Sequence, residues 1–64
     1  MKELTVEILK KRIVKAIKAG NNETCYIIEY CKAELWYYNF CKATAELQQE
    51  GKAIYKEGLG YYLS

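Results

Sequence analysis

Val6, Leu9, Ile13, Ala16 and Ile17 recur at helical spacing near the start of the chain, with Lys11, Lys15 and Lys18 opposite them. A stripe of this kind buries one face of a helix and leaves the other in water. It predicts a helix over residues 5–19. The ends are marked as well: Thr5 can accept a hydrogen bond from a free first-turn N–H, and Leu4 and Leu9 have the spacing of a hydrophobic staple. Glu7 sits in the first turn, Lys15 and Lys18 near the last, and Gly20 can take the left-handed position that closes a helix. Asn21-Asn22 then offers a second N-cap with Glu23 after it. Ile27, Ile28 and Cys31 form a short stripe for a helix over 22–32.

No Gly or Pro separates residues 22 and 50, so local sequence alone permits one continuous helix. The stripes argue otherwise. Trp36, Phe40, Ala43 and Leu47 fall at i, i+4, i+7 and i+11, and their centre projects roughly 100° around the helix from that of Ile27, Ile28 and Cys31. One small core buries both stripes more easily if the chain turns near Lys32–Leu35. This predicts a third helix over 35–50 with Trp36 as a buried anchor at its start. Gly51 ends it. Two β-favouring runs, Lys52 to Lys56 and Tyr61 to Leu63, then flank Glu57-Gly58-Leu59-Gly60 and predict a hairpin over 52–63. The expected fold is α+β, three helices and a C-terminal two-stranded hairpin, in a single domain over 1–64.

Composition narrows the function. The 64 residues hold 10 Lys+Arg against 8 acids, all Glu, with no His and no Pro. A chain this short hides only ~60% of its unfolded surface, so it needs efficient packing or a partner subunit. Without His or Asp, and with Ser64 as its only serine, it lacks the usual nucleophile–base–orienter set, so we expect no catalytic residues, no enzyme activity and no cofactor. Cys25, Cys31 and Cys41, spaced without any His, do not form a zinc pattern, and no metal is expected. Cys25 and Cys31, if both helical, stand about 9 Å apart along the axis, beyond the ~7 Å reach of a disulfide. The three are read mainly as small buried hydrophobes, and a Cys31–Cys41 bridge stays open if a turn brings them together. The longest uncharged run is far short of the ~20 residues a bilayer requires. Lys10, Lys11 and Arg12 stand where a signal peptide needs an apolar core, so a cytoplasmic, intracellular protein is expected.

Charge is unevenly spread. Residues 1–20 hold six bases against Glu3 and Glu7, a balance of +4, and the rest of the chain is at −2. A basic patch attracts phosphates, although a solvated helix face is the plainer reading of the same residues. Ile8 and Val14 lie outside the main stripe, either as scattered surface apolars or as a dimer seam.

The order of elements resembles a winged-helix domain, the helix-turn-helix variant with a hairpin wing found in small prokaryotic and archaeal virus or plasmid regulators. The likeness is strongest from Ala43 to Leu63: Ala43-Thr44-Ala45-Glu46-Leu47-Gln48-Gln49-Glu50-Gly51, a strand, the Gly58-Leu59-Gly60 turn and the closing Tyr61-Tyr62-Leu63. Glu23 to Ala33, with its paired Ile27-Ile28, is similar to the family's second helix. Two features depart from the pattern. Lys32-Ala33-Glu34-Leu35 replaces the Gly or Ser/Thr cap often found before helix three. Only Gly20-Asn21-Asn22 is left for the short strand that often follows helix one, so the expected sheet is the hairpin alone.

The resemblance implies binding of double-stranded DNA by a transcription regulator, with helix three in the major groove and the wing on the backbone. With its stripe inward, helix three points Tyr38, Lys42, Ala45 and Gln49 outward, flanked by Asn39 and Cys41. Asn39 or Gln49 would pair with adenine, and Lys42 would reach guanine or phosphate. Tyr37 or Tyr38 would touch a phosphate or a thymine methyl, and Lys52 and Lys56 are the wing's phosphate candidates. Helix three carries one base against Glu34, Glu46 and Glu50, a thin footprint for DNA, so a homodimer on two half-sites is the expected binding species. The alternative is a non-catalytic protein-interaction module, an adaptor or inhibitor, using the same scaffold on a protein partner.

Overall fold

The computed structural model describes residues 3–64. Its elements are α1 (Val6–Lys18), α2 (Thr24–Cys31), a 3₁₀ turn (Glu34–Trp36), α3 (Tyr37–Gln49), β1 (Ala53–Lys56) and β2 (Gly60–Leu63). Three helices followed by an antiparallel hairpin is the layout expected from the sequence.

The α1 stripe forms the centre of the core. Leu9, Ile13, Ala16 and Ile17 are buried together with Ile27 and Cys31 of α2 and with Phe40, Ala43 and Leu47 of α3. Ala33 and Ala53 complete the cluster, and Leu4 and Val6 pack against its edge. Thr5 caps α1 as its position suggests, its hydroxyl accepting from the Ile8 amide at 3.3 Å.

The second helix starts later than expected and is not capped by asparagine. Glu23 holds the N-cap position without a side-chain bond, because both asparagines are engaged elsewhere. The backbone and side-chain amides of Asn21 donate to the Ala16 carbonyl and finish α1. Asn22 turns to the hairpin. Its carbonyl accepts from the Tyr61 amide at 2.7 Å, and its Nδ2 donates to the Tyr61 carbonyl at 2.7 Å. One residue thus satisfies both backbone groups of Tyr61 along the outer edge of β2.

The chain breaks at Lys32, inside the predicted window. Lys32 adopts φ 55°, ψ 45°, the left-handed conformation that closes α2. Arg12 steadies this end by donating from Nη1 to the Cys31 carbonyl at 3.1 Å. The next residues form a 3₁₀ turn rather than the first turn of α3. With three residues per turn instead of 3.6, Trp36 is rotated off the α3 stripe. It is half-buried and outside the core cluster, which corrects its expected role as a buried anchor. Phe40 holds that position instead, 1% exposed.

Gly51 ends α3 with φ 74°. In the hairpin Ala53 pairs with Leu63, Ile54 with Tyr62, Tyr55 with Tyr61 and Lys56 with Gly60. Ala53 and Tyr61 face the helices, and Ile54, Lys56 and Tyr62 share the other face. Gly60 has φ 101° and lies so close to the Asn22 carbonyl that a Cβ there would collide with it.

Candidate nucleic-acid interface

The α3 stripe of Phe40, Ala43, Thr44 and Leu47 is turned into the protein, which leaves Tyr38, Lys42, Ala45 and Gln49 on the opposite, exposed side. Tyr38 is 77% exposed. Thr44 is buried without penalty because its hydroxyl donates to the Cys41 carbonyl at 2.8 Å.

The acids on α3 lie away from this outer face. Lys10 of α1 reaches across to Glu46 at 3.3 Å and to Glu50 at 2.5 Å. The contact with Glu50 holds the Lys10 ammonium above its ordinary value and the Glu50 carboxyl below the usual carboxylate range. Two of the three carboxylates that weaken a phosphate footprint on helix three are therefore neutralised on the α1 side. Nothing in the local sequence of α3 signals this pairing.

The other sequence-predicted residues divide into separate places. Tyr37 lies on the flank toward the hairpin. It stacks on Phe40 with ring centroids 6.4 Å apart, and its meeting with the Cys41 side chain raises the hydroxyl above its ordinary pKa. Tyr61 and Tyr55 continue this aromatic flank, with centroids 4.9 Å apart. Asn39 lies on the other flank, half-buried, its amide donating to the Leu4 carbonyl at 3.0 Å and to Glu3 at 3.3 Å. Its amide hydrogens tether the segment before α1, so using them on a base would require giving up that tether. Lys56 sits on the outer face of the hairpin, its ammonium 5.0 Å from the Tyr62 ring centroid.

Lys52 is set apart from all of these. It leaves the base of the hairpin toward α1, 3.5 Å from Glu50, and lines an open groove of about 390 Å³ with Glu7, Lys10, Lys11, Val14 and Leu47. Lys52 thus joins the α1 lysines rather than Lys56. Gly51, left-handed and two residues from β1, aims it there, and a strand-by-strand reading of the sequence does not register that turn.

No family model, curated protein or solved structure matches the chain.

The cysteines divide by environment. Cys31 is buried, and burial pushes its thiol up to about 11. Cys25 and Cys41 are exposed on the outer sides of their helices, so only Cys31 behaves as the small buried hydrophobe expected of all three. All three are free, and the Cys31–Cys41 bridge does not form. Among the described residues no group of three or more His, Cys, Asp or Glu is placed to hold a metal ion. None of their helices is long and apolar enough to cross a membrane.

Proposed function

We propose that this protein binds double-stranded DNA and regulates transcription, with α3 in the major groove and the hairpin beside it on the backbone. The observation that carries the reading is the outer side of α3. Over 13 residues the helix is held by its inner stripe and by the flank contacts of Asn39 and Glu46, and the exposed face is left with a cation, an amide and aromatic hydroxyls. Ala45 stands among them, small enough to let the helix approach base edges. The engagement of Glu46 and Glu50 by Lys10 removes the main electrostatic objection to this face. In this reading Lys42 and Gln49 meet bases or phosphate, Tyr38 and Tyr37 meet the backbone or a thymine methyl, and Lys56 meets the backbone from the hairpin. One lysine on the helix gives weak binding per copy, so two copies on a site with two half-sites form the working complex.

The test is selection of duplexes from a random pool at fixed salt, followed by titration of the selected site with Lys42→Gln and Lys56→Gln. Each substitution removes one phosphate-scale contact and lowers the slope of log K against log salt by about 0.9. A duplex affinity with no salt slope, or with a slope indifferent to both substitutions, rejects the reading. A second reading rests on Leu35 and Tyr37, 78% and 57% exposed, which with Tyr38 offer an apolar surface to a protein partner. It is selected if duplex DNA leaves the α3 amide signals unmoved while a partner protein shifts them.

A further inference from the structure

The densest run of unanswered positive charge lies on α1, which the proposed interface does not use. Lys10 is paired with Glu46 and Glu50, and Arg12, though it keeps its charge, is turned aside to the Cys31 carbonyl. Lys11, Lys15 and Lys18 are exposed and form no ion pair among the described residues. At i, i+4 and i+7 they stand on one line down the helix, spanning about 10 Å of axial rise. Lys52 joins the line through the groove it shares with Lys11. Leu9, Ile13 and Ala16, which face the opposite way around α1, are fully buried. The lysine line therefore looks outward on a different side of the molecule from Tyr38, Lys42 and Gln49.

We infer that the outer face of α1, with Lys52 beside it, is a second anion-binding surface that holds the phosphate backbone of a nucleic-acid duplex. Lys11, Lys15 and Lys18 form a straight row of cations with no acid between them, Glu7 lying a turn before Lys11 and Glu50 beside Lys52. Such a row fits a linear polyanion, and a duplex offers one charge per ~1.7 Å of its axis. Lysines serve as point charges for phosphate where no forked, directional contact is needed. A membrane surface is a poorer occupant, because the row is bordered by Ile8 and Val14, both half-buried, and by none of the exposed Trp, Phe or Leu that an interfacial helix inserts. A tight protein partner would want a central aromatic or Arg anchor, which this face also lacks. Contact between two copies through the same face would set the three lysines against their own images. With α3 on a first duplex, the α1 row takes a second duplex segment, so the protein links two. The linking of two duplexes rests on the proposed role of α3, whereas the contact between the α1 row and a duplex does not.

The experiment compares wild type with Lys11→Gln/Lys15→Gln/Lys18→Gln and with Lys42→Gln/Lys56→Gln. Each is titrated with a short mixed-sequence duplex while amide NMR signals and the mass of the complex are followed. In the wild type, signals of residues 11–18 should move with duplex, and the mass should reach more than one duplex per protein assembly. Three lost contacts should remove about 2.7 from the salt slope, a ~40-fold smaller loss of affinity between 50 and 200 mM salt. The α1 variant should therefore lose the second duplex and that share of the salt slope, yet keep the shifts on α3. These substitutions are on the surface and leave the helix propensity nearly unchanged, and unchanged amide signals elsewhere show that the variant is folded. The Lys42/Lys56 variant should retain the α1 shifts, and they persist there even if the proposed role of α3 fails. The inference is overturned if duplex leaves residues 11–18 unmoved, if the α1 variant keeps the wild-type stoichiometry and salt slope, or if anionic vesicles or an acidic peptide move these signals and duplex does not.

Discussion

The helical core and the hairpin are held to the protein by different forces. In the core, Leu9, Ile13, Ala16, Ile27, Cys31, Ala33 and Ala43 have no exposed surface, so its stability comes from area removed from water and from close packing. The hairpin buries little beyond Ala53 and Gly60 and leaves Ile54, Tyr55 and Leu59 about half exposed. It is positioned by the packing of Ala53 and Tyr61 against the core and by polar contacts at its edge, the two bonds between Asn22 and Tyr61. An isolated two-stranded hairpin is marginal in water, so these bonds and the Ala53 and Tyr61 contacts set its place. Damage to the core should unfold the whole molecule, whereas damage to the edge should release the hairpin from otherwise intact helices.

The sharpest break of this comparison is Phe40→Ala. It removes the largest fully buried side chain and should cost ~3–5 kcal/mol, read as a drop in urea midpoint shared by helix and hairpin signals. Next is Gly60→Ala, which forces a side chain onto φ 101° and against the Asn22 carbonyl. The backbone strain alone is worth about 1–3 kcal/mol. Hydrogen exchange should rise first at Tyr61 and Tyr62, and an increase spread equally over α1 would contradict the separation drawn here. Asn22→Ala deletes the Nδ2 bond to the Tyr61 carbonyl but keeps the backbone carbonyl that accepts from the Tyr61 amide. It should cost about 1 kcal/mol, with amide exchange rising only in part at Tyr61 and not at Ile13.

The smallest effect concerns acid. Because Lys10 holds the Glu50 carboxyl below its ordinary value, that contact stabilises the fold above the usual carboxylate range. The contribution is lost as pH falls through the lowered value. Glu50→Gln should flatten this part of the stability profile, on the acid side of the usual carboxylate range, without changing the midpoint order of the other variants. A profile that keeps the wild-type slope shows that the pair contributes nothing.

Legibility of the sequence followed the range of the interactions. The Thr5 cap, the α1 stripe, the break at Lys32 and the glycine at 51 are local events, and each appears in the structure at or within a few residues of its expected place. Trp36 departs from its expected buried position because one 3₁₀ turn changes the angle per residue, whereas a helical projection holds 100° throughout. Asn22 looked like a helix cap because its partner, Tyr61, is 39 positions away, and asparagine next to a helix start carries the same signature for either role. From the sequence, Lys52 reads as a phosphate contact of the wing beside Lys56, and Asn39 as a flank of the α3 face. The structure aims one toward α1 and ties the other to Leu4, consequences of tertiary placement that no spacing rule contains. The outward set of Tyr38, Lys42, Ala45 and Gln49 was readable, since Phe40, Ala43 and Leu47 fix the helix rotation.

The anchoring of α2 bears on how freely this molecule can vary. Its start follows Asn22, fastened to β2, and its end is clasped by Arg12 at the Cys31 carbonyl, while α3 takes its own orientation from packing on α1. The exterior of α2, with Tyr26, Glu29 and Tyr30 around a small hollow of about 190 Å³, is thereby free to be rewritten, by drift or by an engineer grafting a new epitope, without re-aiming the helix beyond it.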